Sequence, residues 1–338
     1  MRDRCGFSLS DLGSRASISR GGAVLLGTNF TVDAHHDRPV RVATHAHADH
    51  LLGLEESLAR CERVVMTPAT LELVEAIYRR PLRREGVELL GYGEGIAFGE
   101  ERLTLFEAGH IVGSAQVLVE SERGERLVYT GDFKLPGAKV VESDVLVMEA
   151  TYGNPNCTRP FKDLVERELV DLVERGLRDG PVYIFGYHGK LQEVAGILRG
   201  SGLKEPIVMP RQVYEVARIC VAHGMELGDF LLDDSEEGKE ALKGPHVGLY
   251  HMRRAGRFEG LGMRVYLSGW EFEVPVRRVG EGEYQVALSD HSDFEELLRY
   301  VEESGPRLVI TDDFRVGDAR ALAREIRRRL GIPAKPMP

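Results

Sequence analysis

Residues 44–53 read THAHADHLLG and place three histidines and an aspartate within six positions of one another. Successive side chains of an extended segment point to opposite faces, so His45 and His47 can converge on one metal ion. A tight turn after them would direct Asp49 and His50 towards a second ion. Imidazole and carboxylate ligands together favour zinc or a similar ion. We therefore interpret this segment as the start of a two-metal site, with a histidine-rich surface loop as the alternative.

Two later segments supply further candidate ligands at the ends of strand-like runs. His110 follows the apolar run 103–106, and Asp132 follows the β-branched and aromatic run 127–130 and a glycine. Such runs with a glycine turn behind them are typical of strands. Taken alone, His110 would be an ordinary loop histidine, and Asp132 would be an ordinary aspartate in a turn. In this order, however, a carboxylate at the end of the second strand could bridge two cations.

The ordered set of these residues resembles the signature of the metallo-β-lactamase superfamily: His45, His47, Asp49, His50, His110 and Asp132. Asp33 resembles the aspartate that precedes the histidine motif in that family. The resemblance implies an α/β fold, namely a four-layer αββα sandwich whose loops meet at one edge of its two sheets. It also implies that the first two histidines and His110 hold one metal, that the adjacent aspartate and histidine hold the second, and that Asp132 bridges both.

Glu149 ends the apolar run 145–148, and His291 stands just before an expected helix. These two motifs are similar to those of the β-CASP nucleases, the branch that contains RNase J and the Artemis-type DNA nucleases. The alternatives are a solvated carboxylate at a strand end and a helix-start residue beside the capping pair Ser292 and Glu295. By resemblance, His291 would protonate the leaving oxygen because histidine titrates near neutrality. Glu149 would orient the ring and favour its charged form.

The order of expected elements indicates that a second domain is inserted into the first. A helix over 161–178, strands at 182–185, 206–209, 247–250 and 263–267, and a helix over 213–223 form repeated βα units. We expect residues 1–154 and 286–338 to form the metallo-β-lactamase domain and residues 155–285 to form the β-CASP insert. Residues 332–338 are expected to be a frayed tail.

The segment 186–190, Gly-Tyr-His-Gly-Lys, opens an expected helix of the insert. A glycine-bearing turn at a helix N-terminus can bind phosphate, although the Walker pattern is absent. In the resembled family this junction faces the nucleic acid, so Lys190 is a candidate nucleic-acid contact. A plain βα turn is the alternative.

Composition neither requires nor excludes a nucleic-acid substrate. The 338 residues carry a net charge of −10, which is unusual for a protein that binds phosphates. Arginine greatly outnumbers lysine, however, and suits bidentate phosphate contacts; its clusters at 79–84, 251–257 and 277–278 could line a groove. No apolar stretch reaches the ~20 residues of a membrane span, and the four cysteines form no Cys-x-x-Cys pair. We expect a soluble, cytoplasmic enzyme with no membrane partner.

One departure from the resembled family affects the second metal. Many RNA-processing members carry a last histidine at a strand end, where residues 308–313 here read Leu-Val-Ile-Thr-Asp-Asp. Asp312 or Asp313 could supply an oxygen instead, which would shift that position towards manganese or magnesium. A turn or helix-capping aspartate is the simpler account. We expect two zinc positions, of which the second binds more weakly.

The resemblance covers nearly the whole chain and is strongest to compact prokaryotic exonucleases and mRNA 3′-end processing factors of this family. It implies a metal-dependent phosphodiesterase that cleaves RNA, as an exonuclease or endonuclease, with a hydroxide activated by two metals, and single-stranded substrate is favoured. An Artemis-like DNA repair exonuclease is the main alternative. A small-molecule metallo-hydrolase and an inactive scaffold subunit are weaker ones. The oligomeric state stays open, a homodimer included.

Overall fold

A computed structural model describes residues 9–338. Its helices are α1 (Leu9–Arg15), α2 (Leu54–Arg60), α3 (Pro68–Tyr78), α4 (Lys162–Leu177), α5 (Lys190–Gly200), α6 (Arg211–Ala222), α7 (Glu236–Ala241), α8 (Phe294–Ser304) and α9 (Ala319–Leu330). Two segments are 3₁₀ turns: Ala48–His50 and Met252–Phe258.

The strands are β1 (Ala16–Ile18), β2 (Val24–Leu26), β3 (Phe30–Val32), β4 (Val40–Val42), β5 (Arg63–Met66), β6 (Val87–Leu89), β7 (Gly95–Phe98), β8 (Glu101–Glu107), β9 (Ala115–Glu120), β10 (Arg126–Tyr129), β11 (Val145–Met148), β12 (Val182–Gly186), β13 (Ile207–Met209), β14 (Leu231–Leu232), β15 (Val247–His251), β16 (Met263–Leu267), β17 (Val276–Gly280), β18 (Glu283–Val286), β19 (Leu308–Asp312) and β20 (Ala334–Met337). The elements expected over 161–285 are confirmed to within a few residues at their ends.

The chain divides into two compact units, residues 1–74, 81–158 and 291–338 on the one hand and residues 75–80 and 159–290 on the other. The sequence-based domain boundaries at 154/155 and 285/286 stay a prediction. The mixed α/β class is confirmed, because each unit combines sheets with helices.

The first unit contains two sheets that share one hydrophobic core. One sheet has the order β1-β2-β3-β4-β5-β6, and the other has the order β20-β19-β11-β10-β9-β8-β7. Apolar side chains of both sheets form a single buried cluster, to which Val42, Leu105, Tyr129 and Ile310 belong. Full burial of one such side chain is worth about 1.5–3 kcal/mol. The short apolar strands noted in the sequence therefore line this shared core.

The opposite face of the second sheet is covered by α8 and α9. Phe294, Leu297 and Val301 of α8 and Leu322 and Ile326 of α9 pack in one cluster with side chains of β10, β11 and β19. Strand β4 ends at Val42, β10 at Tyr129 and β11 at Met148. Residues 43–50, 130–132 and 149 therefore follow the carboxyl ends of parallel strands, where ligand-binding loops commonly gather.

The second unit is built on one sheet with the order β14-β13-β15-β12-β16-β18-β17. All neighbouring pairs are parallel except β17 with β18. The central strands β12, β13 and β15 are mostly apolar and buried, as expected for parallel strands that are covered on both faces. Cys220 of α6 is buried.

Two local expectations from the sequence are wrong. The segment 332–338 is not frayed, because Ala334–Met337 forms the edge strand β20 in parallel register with β19. The capping pair of α8 is Asp293 with Glu296 rather than Ser292 with Glu295. The Ser292 hydroxyl instead accepts a hydrogen bond from the Leu135 amide at 2.9 Å, so this residue ties two loops together.

The cysteines that the structure describes, Cys61, Cys157 and Cys220, form no disulfide with one another. Cys5 lies outside the described residues. Across residues 9–338, no helix has both the length and the apolar character that a membrane crossing requires.

Candidate metal centre

The histidine segment is held in place by a buried arginine in the strand before it. Arg41 is fully buried, and its guanidinium donates to the carbonyl oxygens of Asp33 at 2.7 Å and His50 at 3.1 Å. It also donates to the carbonyl oxygens of Val42 and Leu52, at 3.2 and 3.1 Å. One side chain therefore satisfies backbone carbonyls on both sides of residues 44–49.

A second set of bonds orients His50. The Asp33 carboxylate accepts hydrogen bonds from the Thr44 amide and hydroxyl, both at 2.9 Å, and lies 2.6 Å from His50 Nδ1. Asp33 itself adopts a left-handed backbone with φ of 64°, a conformation that aspartate tolerates better than most residues. Because Nδ1 is bound to Asp33, the Nε2 atom of His50 is the one left for a ligand. Such a carboxylate–histidine pair is a common way of fixing a metal-binding imidazole.

Four ligand atoms converge at the end of the sheets. Suitable nitrogen and oxygen atoms of His45, His47, His110 and Asp132 all lie within 4.8 Å of one another. His47 Nδ1 is 3.1 Å from His45 Nε2 and 3.0 Å from His110 Nε2. The Asp132 Oδ2 atom is 3.7 Å from His45 Nε2 and 3.8 Å from His110 Nε2. Ligands of a tetrahedral zinc ion stand about 3.4 Å apart, so this donor set fits such an ion.

The position of His110 depends on the glycine before it. Gly109 has φ of 66°, and a Cβ atom there would lie 2.7 Å from the Ala138 amide nitrogen. Only glycine fits this conformation and this close approach without a shift of the backbone. The His110 amide then donates to the Ser114 hydroxyl at 3.1 Å, which closes the loop.

A second group of donors adjoins the first through Asp132. His50 Nε2 lies 3.2 Å from Asp132 Oδ2 and 3.5 Å from Asp49 Oδ2. The His50 Nε2 atom is buried, and Asp132 is the nearer of these two carboxylates. The Asp49 side chain is 60% exposed, in contrast to the buried donors around it. These three residues fit a second metal position, more open than the first.

The electrostatics of the site favour metal ligation at these atoms. Burial and the neighbouring imidazoles hold the pKa of His45 well below its usual range, so its ring is neutral. Burial alone would raise the pKa of Asp132, but His50 and His291 hold it well below its usual range. Burial alone would lower the pKa of His50, but Asp132 and Asp33 raise it to about 10. Without a metal His50 is thus an imidazolium between two carboxylates, and a metal at Nε2 would replace that proton.

Glu149 and His291 lie beside the first group. His291 Nδ1 is 2.9 Å from Glu149 Oε2, and ligand atoms of both residues lie within 4.8 Å of Asp132. The other Glu149 oxygen accepts a hydrogen bond from the Phe133 amide at 2.7 Å. Burial, partly offset by His291, raises the pKa of Glu149. The ring of His291 stands 4.6 Å from that of His110, centroid to centroid.

The two aspartates considered as substitutes for a last histidine are engaged elsewhere. Asp312 Oδ1 accepts hydrogen bonds from the amides of Phe314 at 2.9 Å and Arg315 at 3.3 Å. Its Oδ2 atom lies 2.6 Å from Arg315 Nη1. Asp313 Oδ2 is 3.3 Å from the Arg320 Nε atom. These contacts favour the simpler account, in which Asp312 caps a turn and binds an arginine.

In the second unit, the Lys190 ammonium lies 2.8 Å from Asp290 Oδ1, and the lysine side chain is 12% exposed. Any phosphate at this turn would share the ammonium with Asp290. Arg277 of the expected basic clusters is likewise engaged, with Glu271 at 2.6 Å and Glu273 at 2.6 Å.

The sequence reasoning missed three residues that shape the centre. Arg41 and Thr44 hold the histidine segment, and Arg315 lies against the backbone of Asp49 at 3.4 Å. A signal existed for Arg41, because a charged residue between Val40 and Val42 in a buried strand needs internal partners. Nothing in the sequence pattern distinguished Arg315 from other arginines near the C-terminus.

The chain is similar to several proteins of known sequence, although no family model matches it. An uncharacterized protein in the lig 3′ region of Acidianus ambivalens is 40% identical over 138 residues, which are 40% of this chain and 99% of that protein. A probable DNA ligase of Opitutus terrae is 28% identical over 301 residues, 86% of this chain and 28% of the ligase. RNase aCSPSF2 of Saccharolobus solfataricus is 26% identical over 270 residues, 63% of this chain and 54% of that enzyme.

The chain therefore spans 28% of the ligase and 54% of the RNase. Among solved structures, a protein of unknown function from Enterococcus faecalis V583 shares the fold. Its TM-score is 0.61 at 14% identity, and the match covers 84% of this chain and 76% of that one.

Proposed function

We propose that this chain, which belongs to the β-CASP nucleases of the metallo-β-lactamase superfamily, is a metal-dependent phosphodiesterase that cleaves RNA. The observation that carries the proposal is the junction of two groups at Asp132. This carboxylate lies in one cluster with His45, His47 and His110 and in another with Glu149 and His291. Candidate metal ligands and a candidate proton donor therefore lie side by side, an arrangement that suits hydrolysis of a phosphodiester.

Two parts of the fold support the finer family architecture that we propose, a four-layer αββα sandwich with an inserted β-CASP domain. Two sheets of the first unit share a core, with α8 and α9 on an outer face. The second unit interrupts the first between residues 158 and 291.

In this proposal His45, His47, His110 and Asp132 hold the first metal. When bound, the metal supplies Lewis acidity, which lowers the pKa of a water molecule and neutralises phosphate oxygens. Zinc suits this donor set of three imidazoles and a carboxylate. Asp49, His50 and Asp132 would hold a second ion more weakly, with manganese or magnesium as candidates.

Glu149 and His291 would together protonate the leaving group. Glu149, anchored by the Phe133 amide, holds His291 through Nδ1 and thereby orients the ring. His291 Nε2 would then deliver a proton to the departing oxygen. Glu149 also favours the charged form of the ring, as a carboxylate beside an imidazole does.

A DNA exonuclease is the second candidate, and one comparison favours it. The match to the probable DNA ligase extends over 86% of this chain, farther than the match to RNase aCSPSF2. The candidate metal ligands would contact the phosphate rather than the sugar, so a sugar preference would come from other residues. Lys190 remains a proposed contact to nucleic acid of either kind, and a cytoplasmic location remains our expectation.

The test uses single-stranded RNA and DNA of one sequence, labelled at the 5′ or the 3′ end, with zinc, manganese and magnesium supplied separately. We expect metal-dependent cleavage that His47→Ala abolishes and that the matched variant His223→Ala, at the exposed end of α6, leaves intact. Preference for RNA supports the first candidate, and preference for DNA supports the second. Hydrolysis of a thioester without cleavage of either polymer would contradict both.

A further inference from the structure

Arg315 is a buried cation next to the second metal position. Its side chain is 8% exposed. Its Nη1 atom lies 2.6 Å from Asp312 Oδ2, and its Nη2 atom lies 3.4 Å from the carbonyl oxygens of Asp49 and Gly22. The guanidinium thus bridges the end of β19 and the histidine segment.

The charge of Arg315 is permanent and acts on the ligands of that position. The Tyr129, Asp33 and Asp312 groups more than offset the effect of burial and raise the pKa of Arg315 above its ordinary value. The guanidinium lies 3.4 Å from the backbone carbonyl of Asp49, the residue directly before His50. A cation this close to both residues must repel a divalent ion that they bind.

The contacts of Arg315 argue against substrate binding by its guanidinium and against metal ligation by Asp312. Burial and the contacts to Asp312 and to backbone carbonyls keep the guanidinium from a substrate in solvent, so it acts through its charge. Asp312, whose two oxygens are bound to the amides of residues 314 and 315 and to the guanidinium, holds Arg315 instead of ligating a metal.

We propose that Arg315 is a fixed cation that weakens the second metal position, so that the centre holds one ion tightly and a second only at high concentration. This inference rests on the proposed function, because it presumes a metal at the first group. It assigns the weakness of the second position to a positive charge beside Asp49 and His50 rather than to the lack of one ligand. Removal of that charge should therefore strengthen binding of the second ion without supplying any new ligand.

The experiment titrates metal-free protein with Zn²⁺ by calorimetry and with Co²⁺ by visible absorption, and it needs no nuclease assay. We expect the unaltered protein to bind one ion tightly. Arg315→Gln should raise the affinity for the second ion by about tenfold or more, since a unit charge acts on a divalent ion across a partly buried site. Arg315→Lys keeps the charge and should leave the second affinity low. Arg320→Gln makes the same change in net charge at a side chain that is 80% exposed, and it should have no effect.

Removal of Arg315 leaves Asp312 buried without its cation, which could unfold the variant. The double variant Asp312→Asn with Arg315→Gln avoids an unpaired charge, and circular dichroism checks the fold. Because it also removes the carboxylate 2.6 Å from the guanidinium, we expect the affinity for the second ion to rise by less than in Arg315→Gln. An unchanged or lower second affinity in the folded variants would overturn the inference while the first ion still bound. Two equally tight ions in the unaltered protein would overturn it as well. Failure of the unaltered protein to bind any metal would instead overturn the proposed function.

Discussion

Replacement of Arg41 by methionine should destabilise the first unit and release the metal. Of the four carbonyl oxygens that Arg41 contacts, those of Val42 and Leu52 keep another donor, at 2.9 and 3.0 Å. The carbonyl oxygens of Asp33 and His50 lose a charged donor. Each hydrogen bond from a charged group is worth about 1.5–3 kcal/mol, so the loss at these two is about 3–6 kcal/mol.

The same two carbonyls stand at the ends of the segment that carries His45 and His47. Their release should therefore lower metal affinity as well as the free energy of unfolding. Urea unfolding followed by far-UV circular dichroism measures the free energy of unfolding, and elemental analysis after dialysis measures the metal that stays bound.

Arg38→Met is the matched control. Arg38 Nη1 also donates to three backbone carbonyls, of Leu26, Gly27 and Phe30, at 2.8–3.1 Å, but none of them belongs to the histidine segment. This control should lose stability and keep its metal. Full metal content in Arg41→Met, or an equal loss in Arg38→Met, would refute the role given to Arg41.

Three further predictions concern individual histidines. His47→Ala should lower the bound metal, measured by elemental analysis, and full occupancy would show that His47 is not a ligand. His291→Ala should reduce turnover by about 10²-fold or more, as for loss of a general acid, while metal content stays unchanged; a lost metal would make His291 a ligand. In metal-free protein, burial lowers but Asp132 and Asp33 raise the pKa of His50, to about 10. The stability that charged His50 contributes should therefore be complete below its unfolded-state pKa of about 6.5 and be lost as pH rises through the folded value; urea unfolding across this range tests it, and a flat profile would contradict it.

The candidate ligands could be found from the sequence because local spacing and strand ends define them. Alternation of side chains in 44–50 places His45 and His47 on the same face of the segment. The glycines before His110 and Asp132 indicate turns after strands. The order of strands and helices predicted the mixed α/β class and most elements of the second unit. Pattern reasoning failed at the C-terminus, where β20 forms only because β19 offers it an unpaired edge.

The sequence by itself determined which residues can bind metal, since their chemistry and local spacing are properties of the chain. Only the tertiary structure decided what surrounds them. Arg41 reaches carbonyls on both sides of the histidine segment, and Arg315 meets Asp49 across 266 positions of sequence. Contacts between such distant residues leave no periodic signal, because they arise from the way sheets and loops pack rather than from neighbouring side chains. The effect that we propose for Arg315 on the second metal position therefore has no signal in the sequence.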